Sequence, residues 1–168
     1  MGLIADSARP TDAELLRFTQ GVELAVVKAY EAARPLLASG AALDLATAFV
    51  EHHNAHANAF VRMAGGTAVS SPNPALVTQM KSAMQSAKTE RDALAALYEL
   101  ENNVAATHQY LLEHLQDDAA IHEVAAVLPV ESQHAAVIGL LLHKDPRDLG
   151  SAFQGHDGYY DPTRFPVP

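Results

Sequence analysis

The chain contains no cysteine. Disulfides, thiolate metal sites and cysteine nucleophiles are therefore excluded, and a reducing or an oxidising compartment suits it equally. Tryptophan is also absent, and aromatic residues make up 6% of the chain. With few β-branched residues and an abundance of Ala and Leu, this composition favours helix over sheet. Basic residues are scarce: 11 Lys and Arg stand against 20 Asp and Glu, for a formal charge of −9. Such a surface repels a nucleic-acid backbone or an anionic membrane, so neither is expected as a partner. No uninterrupted apolar run approaches the roughly 18 residues of a membrane-spanning helix. The opening Met1-Gly-Leu-Ile-Ala-Asp lacks the basic and long apolar regions of an export signal. A soluble, cytoplasmic protein is expected. Gly65-Gly66 and the Gly155/Gly158 pair lack the strand–helix context of a nucleotide loop, and no spacing supports a Ser-His-Asp arrangement.

What is present points to helices. A chain of 168 residues, 49% hydrophobic, suits one globular domain with a sizeable core. Pro10-Thr11-Asp12-Ala13-Glu14 reads as a helix start, with Thr11 as N-cap and Glu14 closing a capping box. An inner stripe follows at steps of three and four: Leu16, Thr19, Glu23, Val26, Tyr30, Ala33, Leu37. Pro35 should distort the last turn and Ser39-Gly40 end it. A second helix carries Phe49, His53, His56, Phe60 and Met63 inward and stops at Gly65-Gly66. Asn73-Pro74 opens a short helix over roughly 74–87. A third long helix turns Leu94, Leu97, Glu101, Val104, His108, Leu111 and Leu115 inward. Asp117-Asp118 caps a fourth, with Val124, Val127, Glu131, His134, Ile138 and Leu141 inside and Pro129 bending it. The expected fold is all-α: a four-helix bundle over 1–143, with a short extra helix in the long crossover. An extended, Pro-rich and aromatic tail over 144–168, including Phe153, Tyr159, Tyr160 and Phe165, packs on the bundle or on another subunit.

A shift of 78 residues carries Glu23 onto Glu101, His53 onto Glu131 and His56 onto His134. The same shift carries Leu16 onto Leu94, Val26 onto Val104, Tyr30 onto His108, Leu37 onto Leu115, Phe60 onto Ile138 and Met63 onto Leu141. Two helix pairs are thus related, and six polar groups fall at one level of an otherwise apolar interior. Buried carboxylates and imidazoles are costly without compensation, and a pair of metal ions is the compensation that fits best. A Glu from each of two helices, with residues three apart on the other two sharing a helix face, can surround such ions.

Four segments carry a resemblance. Val-Glu-Leu-Ala-Val-Val-Lys-Ala-Tyr (22–30), Glu-His-His-Asn-Ala-His-Ala (51–57), Leu-Glu-Asn-Asn-Val-Ala-Ala-Thr-His (100–108) and Glu-Ser-Gln-His-Ala-Ala (131–136) occur in order on inner faces. In these segments the chain, from about residue 12 to 143, resembles the bacterial ferritin-like domain proteins. The resemblance implies a ferritin-like bundle holding two irons, or manganese or another divalent ion, with Glu23, His56, Glu101, Glu131 and His134 as ligands. The family usually has a Glu three residues before the helix-two His, where this chain has His53.

Four carboxylates would neutralise two divalent ions; three leave a positive charge in excess. In a low-dielectric core that surplus disfavours the diferric state and weakens oxygen-driven iron oxidation. Three Glu and three His can still hold two metals, or a single ion in a nitrogen-rich site where zinc, copper and iron all fit. Two functions stay open: a di-metal oxidoreductase of ferroxidase type acting with dioxygen or peroxide, and a non-catalytic scaffold or interaction protein whose altered site binds one metal or none. A homodimer is compatible with an acidic bundle bearing an apolar tail. Tyr30 and His108, about 10 Å along the axis from Glu23 and Glu101, are read as packing residues with a supporting role open. His52, His114, His122, His143 and His156 are read as ordinary core or boundary residues. His52 borders the site stripe, Glu51 and Glu99 lie off the inner face, and all three are reserves only.

Overall fold

The computed structural model describes residues 9–38, 40–66, 68–69, 71–149 and 157–167, and all described elements are helical. Helix α1 spans Asp12–Ala33. Its start is the expected capping box: the Thr11 hydroxyl accepts from the Glu14 N–H at 3.3 Å, and Glu14 accepts from the Thr11 N–H at 2.8 Å. Proline at 35 has no N–H to continue the ladder, and the chain tightens into a 3-10 turn over Arg34–Leu36. Helix α2, Gly40–Met63, ends where Gly65 and Gly66 take φ of 75° and 80°. These are left-handed conformations that spare glycine a Cβ clash. The Gly66 N–H closes the turn on the Val61 carbonyl at 2.9 Å. Ser39 lies outside the described residues.

Helix α3, Pro74–Ser86, starts at Asn73, whose side chain accepts from the Ala75 and Leu76 N–H groups. Helix α4 runs over Glu90–His114 behind a second capping box, Thr89 with Asp92. Asp117 caps α5, Asp118–Leu141, which continues through Pro129. A single turn, α6, covers Pro146–Leu149.

The bundle is assembled from two pairs, α1 against α2 and α4 against α5. The pairs meet through α1–α4 and α2–α5, while α3 packs on α1 and α4. The buried stripes coincide with those expected, except at His56, which is partly exposed, and at the ends of α2 and α5. There Ala64 and Leu142 are buried, and Met63 and Leu141 are half-buried. The apolar core falls into two clusters. One contains Val26, Tyr30, Phe49, Leu97, Val104 and Ile138; the other contains Leu15, Leu16, Phe60, Leu111, Val124 and Val127. Along α2 and α5 the polar inner residues sit between these clusters, while on α1 and α4 Glu23 and Glu101 are flanked on both sides by residues of the first, so apolar side chains surround the site.

Among the described residues α5 is the one helix long and apolar enough, by length and composition, to cross a membrane. Counting uninterrupted apolar runs misses it, because Glu131 and His134 break the run while the mean stays high. Those two residues are buried at the bundle centre and α5 packs along α4. At the C-terminal end, Tyr160 and Phe165 are buried, the Tyr160 N–H donates to Thr107 Oγ1 at 2.9 Å, and Asn73 donates to the Pro166 carbonyl at 2.7 Å. Gly158, at φ 85°, lets this segment approach Asn103; a Cβ there would stand 2.2 Å from Asn103 Oδ1. Phe153 and His156 lie outside the described residues.

Candidate metal centre

The fold brings all six polar stripe residues together. Glu23 comes from α1, His53 and His56 from α2, Glu101 from α4, and Glu131 with His134 from α5. His56 retains 13% side-chain exposure, and the others are buried. His53 occupies the middle. Its Nδ1 lies 2.8 Å from Glu23 Oε2 and its Nε2 3.2 Å from Glu101 Oε1, with Glu131 Oε2 3.7 Å from Nδ1. His56 Nδ1 stands 2.7 Å from Glu131 Oε1. His134 Nδ1 is 3.3 Å from Glu131 Oε2 and 3.4 Å from Glu101 Oε2.

Proximity and hydrogen bonding part company here. Glu23 Oε1, His56 Nδ1, Glu101 Oε2, His108 Nε2, both Glu131 oxygens and His134 Nδ1 are buried without an aligned partner, although carboxylate and ring atoms stand within contact distance of one another. Apart from Arg17 Nε, no other described buried side-chain nitrogen or oxygen is left so. Unpaired buried polar atoms are costly and rare; a concentration of them at one point asks for a shared partner. Donors about 2.1 Å from a common ion stand about 3.0–3.4 Å from each other in octahedral or tetrahedral arrangements. The separations here bracket that range. Two overlapping sets bring one donor atom from each residue within 4.8 Å of all the others: Glu23, His53, His56 and Glu131, and His53, Glu101, Glu131 and His134. The donors present therefore fit a divalent transition metal.

Three residues beyond the six also touch the site. The Tyr30 hydroxyl donates to Glu101 Oε1. His108 Nε2 lies 3.2 Å from Glu23 Oε1, while its Nδ1 is 2.9 Å from the Val104 carbonyl. Tyr30 and His108 are therefore more than packing residues: each reaches the acidic residue of the other helix pair. Their equivalence under the 78-residue shift was the available signal. His52, read as a boundary residue, places Nδ1 2.9 Å from His134 Nε2, and Phe49 stacks on the His134 ring at 3.8 Å between centroids. Glu51 is exposed, and His114 instead caps its own helix, its Nδ1 2.7 Å from the Tyr110 carbonyl.

Without metal, the cluster compensates itself by proton placement. Burial and the Glu131 charge push the Glu23 carboxyl up, but contacts with His108, His53 and His56 outweigh them and hold it at about 2. Burial likewise works against a charged His56, yet the Glu131 and Glu23 carboxylates raise it to about 9. For His53, burial opposes the charge, while Glu101, Glu131 and Glu23 prevail and raise its pKa well above the ordinary imidazole range. Glu131, despite its burial, is held well below the usual carboxylate range by His53, His134 and His56. His52 goes the other way, lowered by burial and by the charges of His134, His56 and His53.

The family model described as ferritin-like domain matches residues 11–144, a span that contains every residue of this cluster. No curated protein and no solved structure matches the chain.

Proposed function

The chain belongs to the ferritin-like domain family, and on that premise we propose that it binds divalent transition-metal ions at the bundle centre and uses iron or manganese held there for oxidoreductase chemistry with dioxygen or peroxide. One observation carries this reading: buried carboxylate and imidazole atoms that lie close together yet are not aligned to one another. Glu131 would serve both ligand sets, with Glu23 and His56 on one side and Glu101 and His134 on the other. Oxygen and nitrogen donors without thiolate suit iron and manganese, and zinc or copper as redox-inert or competing occupants. Bound, iron or manganese would supply Lewis acidity and one-electron exchange.

The chain's own residues prepare the site. The two apolar clusters exclude water from both ends, which strengthens every charge interaction between them. The Tyr30 hydroxyl fixes one oxygen of Glu101, leaving Oε2 free of any aligned partner. His52 occupies Nε2 of His134 and so directs Nδ1 towards Glu101 and Glu131. Such outer partners set the tautomer and orientation of a ligating histidine.

A second reading, a metal-free scaffold, is favoured by His53, because its two nitrogens meet two buried carboxylates and supply an internal cation. Anaerobic ferrous titration followed by exposure to air separates the two. The oxidoreductase reading expects ferrous iron to oxidise several-fold faster with the protein than in buffer, and the gain to vanish in Glu131→Gln. Oxidation at the buffer rate, with melting unchanged by added metal, would support the scaffold instead.

A further inference from the structure

His53 belongs to both ligand sets, and an imidazole cannot serve both as it stands. A neutral ring has one N–H and one lone pair, so only one of its nitrogens can ligate. Bridging two ions would require the imidazolate and would hold them apart on opposite sides of the ring. The two halves of the site are therefore unequal, and the geometry states which half is complete.

Both ring nitrogens are aligned on a carboxylate oxygen, and the Nδ1 edge makes the shorter contact, 2.8 Å to Glu23 Oε2. The Nε2 edge meets Glu101 Oε1 at 3.2 Å, and that oxygen already accepts from Tyr30. The proton thus belongs on Nδ1, donated to Glu23, and the lone pair on Nε2 faces the Glu101 side. There it shares a ligand set with Glu101, Glu131 and His134, all four residues buried, with Glu101 Oε2 and Glu131 Oε2 at 3.4 and 3.3 Å from His134 Nδ1 and Glu131 Oε2 3.7 Å from His53 Nδ1. Both histidines of this set have their second nitrogen held, His53 by Glu23 and His134 by His52. That is the arrangement in which histidine ligands are oriented and made more basic by outer partners.

From this we infer that the chain has one primary metal site, His53 Nε2, Glu101, Glu131 and His134, and that Glu23 is a positioning residue for His53 in it rather than a ligand. The inference rests on the metal-binding reading above and sharpens it. The other half keeps Glu23 Oε1, His56 Nδ1, His108 Nε2 and Glu131 Oε1. It lacks His53, it is reached by the partly exposed His56, and it fills second. The 78-residue repeat makes Glu23 and Glu101 equivalent in sequence; His53 makes them different in chemistry.

Anaerobic cobalt(II) titration with a competing chelator, followed by visible absorption, tests this on wild type, Glu23→Gln and Glu101→Gln. The amide oxygen of Gln at 23 can still accept from His53 Nδ1. Glu23→Gln should keep one tight cobalt with an unchanged visible spectrum and an affinity about 10- to 100-fold lower, whereas Glu101→Gln should lose the tight ion. Equal loss in both variants, or two equally tight ions in wild type, overturns the inference while leaving metal binding intact. A wild type that takes up no cobalt overturns this inference and the metal-binding reading together. Because a core variant can fail to fold, a second measurement uses the unaltered chain. In long-range proton–nitrogen NMR spectra of zinc-loaded protein, His53 should carry its proton on Nδ1 and its metal shift on Nε2. The reverse assignment refutes the proposal.

Discussion

Replacing His53 with Glu installs a fourth carboxylate in the layer and removes a ring whose two nitrogens meet carboxylates of different helix pairs. The magnitude follows from what His53 touches. Its nitrogens lie 2.8 Å from Glu23, 3.2 Å from Glu101 and 3.7 Å from Glu131, all within the buried interior. Removing one member of a buried ion pair costs about 3–5 kcal/mol, because the partner charge stays behind. The substitution also adds a fourth carboxylate to a layer where Glu131 already opposes ionisation of Glu23, so the upper part of that range applies. At about 2–4 °C per kcal/mol for a chain of this length, chelator-treated His53→Glu should melt roughly 8–20 °C below wild type. Divalent metal should reverse the order of gains. Four carboxylates neutralise two divalent ions, so iron or manganese should raise the melting temperature more in the variant than in wild type, with a second tightly held ion. Scanning calorimetry of both proteins, with chelator and with metal, reads this directly. A metal-free variant that melts within about 2 °C of wild type, or equal gains on metal addition, would refute the placement of His53 at the centre of the charge balance.

Metal-free protein should also lose stability as pH rises. His56 is raised to about 9 from 6.5, so its contribution is complete below about pH 6.5 and lost as pH climbs through 9, a change on the order of 3 kcal/mol. His53, His108 and His134 are raised as well and act with the same sign. Urea midpoints of chelator-treated protein should fall across that window, and a flat profile contradicts the ion-pair assignment. Metal affinity should rise over the same window, because ligands shed protons on binding. On the acid side Glu23, lowered to about 2 from 4.5, contributes fully above pH 4.5 and loses its effect as pH falls through 2. Gly21 lies buried within α1, where an added Cβ meets nothing within 4 Å. Gly21→Ala should therefore stabilise by about 1 kcal/mol, a gain of roughly 2–4 °C in melting temperature, and a lower Tm would mean that the space is not available. Tyr30→Phe leaves the buried Glu101 without its hydroxyl donor and should cost about 1–3 kcal/mol in denaturant titration; an unchanged midpoint would remove that bond from the account.

Much of the architecture is written locally. Thr11 with Glu14, Asn73 with Pro74, and Asp117 each announce a helix start that the structure contains, because capping depends on residues a few positions apart. The polar layer was legible for a similar reason: helical spacing puts Glu23, His53, His56, Glu101, Glu131 and His134 on inner faces, and the repeat aligns their heights. The contacts of Tyr30 and His108 were not. Distance along one helix axis places each about two turns from its own Glu, but helical side chains lean towards the N-terminus. Long side chains so tilted reach back to the layer and touch the Glu of the other pair. His52 reads only as a reserve in sequence because it lies one position off the inner stripe of α2, and its partner His134 belongs to α5. Neither the tilt across a bundle nor the neighbour on another helix has a period in sequence.

The most direct test of the metal centre is element-resolved metal analysis of wild type and Glu131→Gln after equilibration with ferrous, manganous or zinc ions and desalting. Glu131 is the carboxylate common to both ligand sets. The account predicts that wild type retains about one equivalent of metal per chain, that a second appears only with excess metal present, and that Glu131→Gln retains none. A wild-type chain that desalts free of metal and melts identically with and without it would contradict a metal centre in this bundle.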